Sequence, residues 1–272
     1  MSLSPRNHPF LKLRAIAKRD LLTMIRGSMG LGFRFFFVLV ELATFYFLAR
    51  AVGPGYRPEG LDYFWFLLTG TAIFELLMGS AQGIIRGLRD AQISGLLEVL
   101  LSTSTSAALV IVLDSISTLV GRLLHAVIYI VMGMLVFRIA FPDPNWLATL
   151  VILMLSVVLS VSFGLVAASL QIWLQKGDSA IAVFAVLAGL FSGVLFAVDV
   201  LPPSLRFLAD LNPLSHALSG FRAGFLRGAP WSELSPTILL LSAYSAFLVP
   251  LGLWLFNFAL RRARRNGTLL FY

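Results

Sequence analysis

Apolar residues run along this chain in long blocks parted by short polar segments. A helix needs about 20 mostly apolar residues to cross the hydrocarbon core of a bilayer. Six blocks reach that length, over residues 33–52, 63–85, 107–137, 146–174, 179–200 and 236–260. The third, Ala107 to Phe137, is overlong and has to tilt or to leave the bilayer at one end. Three other segments show helical spacing without the length to span. In residues 9–26, Phe10, Leu13, Ala17, Leu21 and Met24 share one stripe, while Lys12, Arg19 and Arg26 lie opposite. That pattern predicts an amphipathic helix on the membrane surface, either a simple anchor or a docking face for a cytoplasmic partner. Residues 94–101 bring Leu96, Leu97, Leu100 and Leu101 to one face, joined by Ile93. Such a short helix docks into a groove on another protein or lies on lipid headgroups. Residues 201–235 predict a pair of short amphipathic helices, Leu205 to Leu211 and Leu214 to Leu226, broken at Asn212-Pro213. This outer segment is expected to form a re-entrant hairpin over the end of a pathway.

Composition narrows the class. Hydrophobic residues make up 58% of the 272 and charged residues 12%, about half the charged fraction of a soluble domain. Mean hydropathy is +0.90. A disordered chain, a collagen-like fibre and a soluble enzyme are excluded, which leaves an all-α polytopic membrane protein forming a single transmembrane domain over residues 1–272. The charged N-terminal flank is followed by an apolar run long enough to span, so no cleavable signal peptide is expected. With the N-terminus inside, the inner segments hold 14 Lys and Arg and the outer segments 6. Arg122 lies within a span, and the three groups sum to the 21 of the chain. The positive-inside rule therefore predicts both termini in the cytoplasm, and it accounts for the net charge of +8 without nucleic acid. The chain has no cysteine, so disulfides and thiolate metal sites are absent.

The chemistry of the spans is sparse. Away from the span ends, Glu41, Glu75, Asp114, Arg122 and His125 are the ionisable residues inside them, each costing roughly 2.5–3.5 kcal/mol to insert. They either pair across helices or line a polar pathway for a substrate headgroup. Pairing is the reading for Asp114 and Arg122, and both readings stay open for Glu41 and Glu75. Small residues recur every four positions at Gly79, Gly83 and Gly87, and at Ser156, Ser160, Gly164 and Ala168, which marks packing faces within or between subunits. The same spacing at Gly220, Gly224 and Gly228 has chance as an equally good account. Phe33, Phe35, Phe36 and Phe37 crowd the first span as lipid-facing or core bulk, with an aromatic-lined pathway for an amphipathic substrate as the alternative. His8, His125 and His216 are far apart, so no metal site is expected. There is no G-x-x-x-x-G-K-[ST] loop and no hydrolase or metalloprotease motif, hence no catalytic residue is assigned and no cofactor is expected in this chain. An intramembrane enzyme or an assembly scaffold is the alternative reading, and it would have to use the scattered carboxylates and His125.

Two stretches carry a family resemblance. Gly95-Leu-Leu-Glu98 followed by Val-Leu-Leu is similar to the Gly-Thr-Leu-Glu-x-Leu-Leu segment of ABC transporter permeases of the type-2 exporter family. Phe191-Ser-Gly193, Leu201-Pro202, Leu211-Asn-Pro-Leu214 and Phe221-Arg222 resemble that family's signature around its fifth span, giving Gly193, Pro202, Asn212, Pro213 and Arg222 as an outer signature. The order and spacing of these motifs cover nearly the whole chain. The resemblance implies six spans, an N-terminal interfacial helix and a coupling helix at Gly95, Leu96, Leu97, Glu98, Leu100 and Leu101, seated in a cleft of a separate ATPase subunit that binds ATP and Mg. It implies a second copy of this chain or a homologous permease as partner, with membrane lipid around both, in the plasma (inner) membrane of a prokaryote. Leu96 replaces the family's Thr, and Ala197 replaces a Pro, which predicts that the break after span five falls later, at Pro202-Pro203. The N-terminal Arg/Tyr-rich pattern of polysaccharide exporters is missing, so a drug, lipid or other amphipathic substrate is expected.

Overall fold

The computed structural model describes residues 28–95, 107–137, 143–174 and 177–266. The chain divides into two compact units, Met1–Thr44 and Phe45–Tyr272. Helix α1, Ser28–Val52, begins in the first unit and ends in the second. Its part in the first unit exposes Phe36 and Phe37, which meet edge to face at 6.0 Å. An apolar, water-averse surface of this kind suits lipid.

The second unit is a bundle, and no strand occurs among the described residues. After α1 come a 3₁₀ turn at Pro58–Gly60, α2 at Tyr63–Ile93, α3 at Ala107–Phe137, α4 at Trp146–Leu174 and α5 at Gly177–Phe191. A second 3₁₀ turn at Val198–Val200 leads to α6 at Pro203–Leu211, α7 at Pro213–Leu226 and α8 at Trp231–Asn266. Among the described residues four segments are long and apolar enough to cross a membrane: Tyr63–Ile93, Thr118–Phe137, Trp146–Trp173 and Trp231–Arg265. Helix α5, at 15 residues, reaches only about 22 Å, short of the roughly 30 Å core.

Helix α4 is the centre of the bundle, with α8, α2 and α7 packed on it and α3 on α2. One apolar core joins Ile84 and Leu88 of α2, Ile111 of α3, Leu165 and Ala168 of α4, and Phe256 and Leu260 of α8. The small-residue stripes lie inside this packing. Ser160 Oγ donates to the Leu77 carbonyl, and a Cβ at Gly164 would stand 3.0 Å from the Ala81 oxygen. The Ser160 and Gly164 face therefore joins α4 to α2, whereas Gly79 and Gly83 face α3, where a Cβ at Gly83 would stand 2.9 Å from Thr118.

Several boundaries differ from the sequence reading: α1 begins at Ser28 rather than at Phe33, and α2 runs on to Ile93 rather than ending at Ile85. The fifth helix ends at Phe191, not near Val200, and the break falls well before Pro202-Pro203. Gly193 takes φ +76, the left-handed conformation that stops a helix and that β-carbon residues resist. The sixth apolar block lies within a longer helix, α8, which extends beyond 236–260 at both ends and keeps Pro236 and Pro250 inside it. The Gly220, Gly224 and Gly228 repeat also has a packing account. A Cβ at Gly220 would stand 2.8 Å from Thr237, and one at Gly224 would stand 2.7 Å from Thr149 Oγ1. These glycines let α7 lie against α4 and α8.

Candidate functional site: an arginine clamp and a polar helix pair

Arg222 is the largest fully buried side chain, with 1% exposure. It projects from α7 toward the first turns of α2. Nη2 donates to the Phe66 carbonyl at 2.9 Å and to the Val194 carbonyl at 3.4 Å. Nη1 meets Glu59 Oε1 at 3.3 Å, an ion pair across 163 residues of sequence. The guanidinium lies over the Phe66 ring, 3.5 Å from its centroid. Nε is buried without a hydrogen-bond partner. Burial takes its water away, and Glu59 supplies the counter-charge.

Local sequence prepares each partner. Pro58–Gly60 forms a tight turn in which Glu59 takes φ 53, and among the described residues it is the one non-glycine with positive φ. Holding a β-carbon residue there costs roughly 1–2 kcal/mol, offset here by the contact with Arg222. Asp62 caps α2 by accepting from the Phe64 amide at 2.9 Å, which fixes where Phe66 falls. Gly70 supplies room: a Cβ there would land on Arg222 Nη2 and the Val194 oxygen. Gly193 turns the chain so that the Val194 carbonyl faces the guanidinium.

The rest of the outer signature closes the end of α5. Asn212 Nδ2 donates to the Ala188 carbonyl at 3.2 Å, while its Oδ1 accepts from the Leu214 amide and caps α7. Ser215 Oγ donates to the Phe191 carbonyl at 2.8 Å. Those carbonyls belong to the last turn of α5, which has no helical donors of its own. Pro202 is the cap of α6, and Pro213 opens α7 from a buried position. The structure thus ties Gly193, through Val194, to Arg222, and ties Asn212 to the last turn of α5. Glu59, Phe66, Gly70 and Val194 were not singled out in the sequence. The Pro-Glu-Gly turn and an arginine within an otherwise apolar helix were the available signals.

A second polar feature lies deeper. Arg122 Nη1 of α3 stands 3.6 Å from Glu75 Oε2 of α2, with the side chains 31% and 44% exposed. A Cβ at Gly79 would stand 2.6 Å from Arg122 Nε, so this glycine lets the arginine cross α2. His125, one turn along α3, stacks on Tyr129 at 6.1 Å. Arg122 thus pairs across helices, and its visible partner is Glu75. Asp114 belongs to α3, and its side chain is outside what is described. Glu41 is half-buried on the part of α1 in the first unit.

Gly95 ends α2 with φ +70, and its amide donates to the Gln92 carbonyl at 3.2 Å. Leu96, Leu97, Glu98, Leu100 and Leu101 lie outside the described residues, as do Lys12, Arg19 and Arg26 and the whole segment 9–26.

No curated protein matches the chain. The family model described as ABC-2 type transporter matches residues 12–226, from the N-terminal flank to the last residue of α7, and the chain belongs to that family of membrane transport permeases.

Proposed function

We propose that this multi-pass membrane protein is the transmembrane subunit of an ATP-driven exporter for a drug, lipid or other amphipathic substrate. In this reading the chain crosses the plasma membrane six times with both termini in the cytoplasm, and α6–α7 re-enters the outer leaflet. Two such subunits pair around a pathway, and each binds a separate ATPase subunit that holds ATP and Mg. The segment Gly95–Leu101 is the coupling helix. Motion imposed on it by the ATPases switches the pathway between inward and outward access. Lys12, Arg19 and Arg26 add a second docking surface. Glu41, Glu75, Asp114, Arg122 and His125 are the candidate pathway groups.

One observation carries this reading beyond the family. Helix α2 runs unbroken for 31 residues from the arginine clamp to Gly95, about 46 Å. A push at its inner end therefore reaches the outer cap. The re-entrant reading rests on register. Arg222 meets α2 at Phe66 and Gly70, and Gly220 meets α4 at Ile152, one to two turns in from the outer ends of both helices. A short α5 then suffices, because α6–α7 fills the remaining depth.

The test is a mild-detergent pull-down of the chain from its native membrane, assayed for ATP hydrolysis and then for transport in vesicles. An ATPase should co-purify. Leu97→Pro or Glu98→Lys should uncouple hydrolysis from transport while membrane insertion is kept. Normal transport by both variants would reject the coupling role, and a chain that purifies alone would reject the exporter.

A further inference from the structure

Helix α8 carries a stripe that the transport reading leaves unused. At 3.6 residues per turn, Trp254, Phe258, Arg261, Arg262 and Arg265 fall within about 100° of arc. All five are exposed, and buried Ala263 points the other way into the core. Trp254 and Phe258 stack at 5.7 Å with 17° between planes. Phe247, 66% exposed, continues the stripe toward the middle of the helix. Arg262 extends sideways over the ring of Trp173 on α4, 5.8 Å from its centroid, and that ring is 63% exposed.

The order along the helix is aliphatic and aromatic first, then cationic. Trp231–Arg265 holds 35 residues, about 52 Å, which exceeds the hydrocarbon core by roughly 20 Å. The arginines therefore sit at headgroup level when Phe247 sits in the core. The C-terminal carbonyls of the helix add no cost to a cation here. We propose that this stripe, with Trp173, binds an anionic phospholipid in the leaflet at the C-terminal end of α8. The phosphate accepts from Arg261, Arg262 or Arg265, and the acyl chains lie along Phe258, Trp254 and Phe247. A second copy facing the same stripe would set arginine against arginine. A water-soluble acidic protein could meet the arginines but not the aromatics at hydrocarbon depth.

The test uses the intrinsic tryptophan fluorescence of the chain in vesicles of equal phosphatidylglycerol and phosphatidylcholine. One lipid at a time carries brominated acyl chains, which quench only on contact. Brominated phosphatidylglycerol should quench more strongly, since one productive arginine enriches anionic lipid about fivefold. The triple variant Arg261→Gln, Arg262→Gln, Arg265→Gln should quench equally with either lipid, and the triple lysine variant should keep the preference. Arg227→Gln, on the far side in an exposed pair with Glu233, should change nothing. Equal quenching of the wild-type chain would overturn the site and leave the arginines to an acidic protein. A preference that survives the glutamine variant, with its thermal unfolding midpoint unchanged, would place the lipid elsewhere. Neither outcome touches the transport reading.

Discussion

A guanidinium with 1% of its side chain exposed has lost nearly all its water, and here two carbonyls, one carboxylate and one aromatic face take its place. The charge is retained because the fork of the arginine matches several acceptors at once, a geometry that lysine cannot copy. Removing it strands the Val194 oxygen, takes one donor from the Phe66 carbonyl, leaves a hole, and unties Glu59 from its strained turn. Each stranded group costs about 1–3 kcal/mol. Arg222→Ala should lower the thermal unfolding midpoint in detergent by about 6–12 °C, taking roughly 3 kcal/mol in total. Arg222→Lys should recover less than half of that. A midpoint for the alanine variant within about 2 °C of wild type would show that the cluster is not structural. Gly70→Val gives an independent check, because its side chain would occupy the place of Nη2. Its effect should be large alone and smaller on top of Arg222→Ala, which removes the clash with Nη2 and leaves the one with the Val194 oxygen.

At the scale of elements, the end of α5 shows how far a sequence can be read and where it stops. Helices α2, α3, α4 and α8 were legible because each holds a mostly apolar stretch of about 20 residues or more, which only a long helix buries or gives to lipid. The end of α5 was not, because the chain stays apolar through Val200 and the stop is a single glycine, Gly193, in a chain with 22 of them. The Glu59–Arg222 pair was out of reach for a different reason: nothing local links residues 163 apart. The partner of Arg122 is not legible locally either, because Glu75 stands on another helix, α2. Two predictions separate the roles seen here. Asn212→Asp keeps the acceptor that caps α7 and loses the donor to the Ala188 carbonyl, whereas Asn212→Ala loses both. The aspartate should therefore cost less than alanine, which loses about 1 kcal/mol for the cap on top. Equal midpoints for the two variants would mean that the cap contributes nothing. For the helix pair, a double-mutant cycle applies. Glu75→Ala leaves a cation without its partner, so Glu75→Ala with Arg122→Ala should be more stable than Glu75→Ala alone, by about 1 kcal/mol given the partial exposure. A purely additive cycle would reject the pair as a contact between α2 and α3.

For the whole molecule, the question is whether the outer cap moves with α2 or stands still while the pathway opens elsewhere. Three contacts tie the N-terminal end of α2 to the segments after α5: Arg222 to Phe66, Arg222 to Val194, and Tyr63 Oη to the Leu195 carbonyl at 3.0 Å. A rod of 31 residues clamped at one end and leading into Gly95 at the other cannot tilt far without breaking or carrying that cap. The absence of cysteine makes this directly testable. Cysteines placed at Tyr63 and Leu195 can be joined by a short, reducible bifunctional thiol reagent in reconstituted vesicles containing the proposed partner ATPase. If the clamp must open during the cycle, the cross-linked pair should lose transport, each single-cysteine variant should keep it, and reduction should restore it. ATP binding by the partner should survive, because the block lies at the far end of the rod. Full transport with the cross-link in place would make the clamp a static lid, and the moving parts would then have to be sought between subunits and along the α2–α3 pair of Glu75 and Arg122.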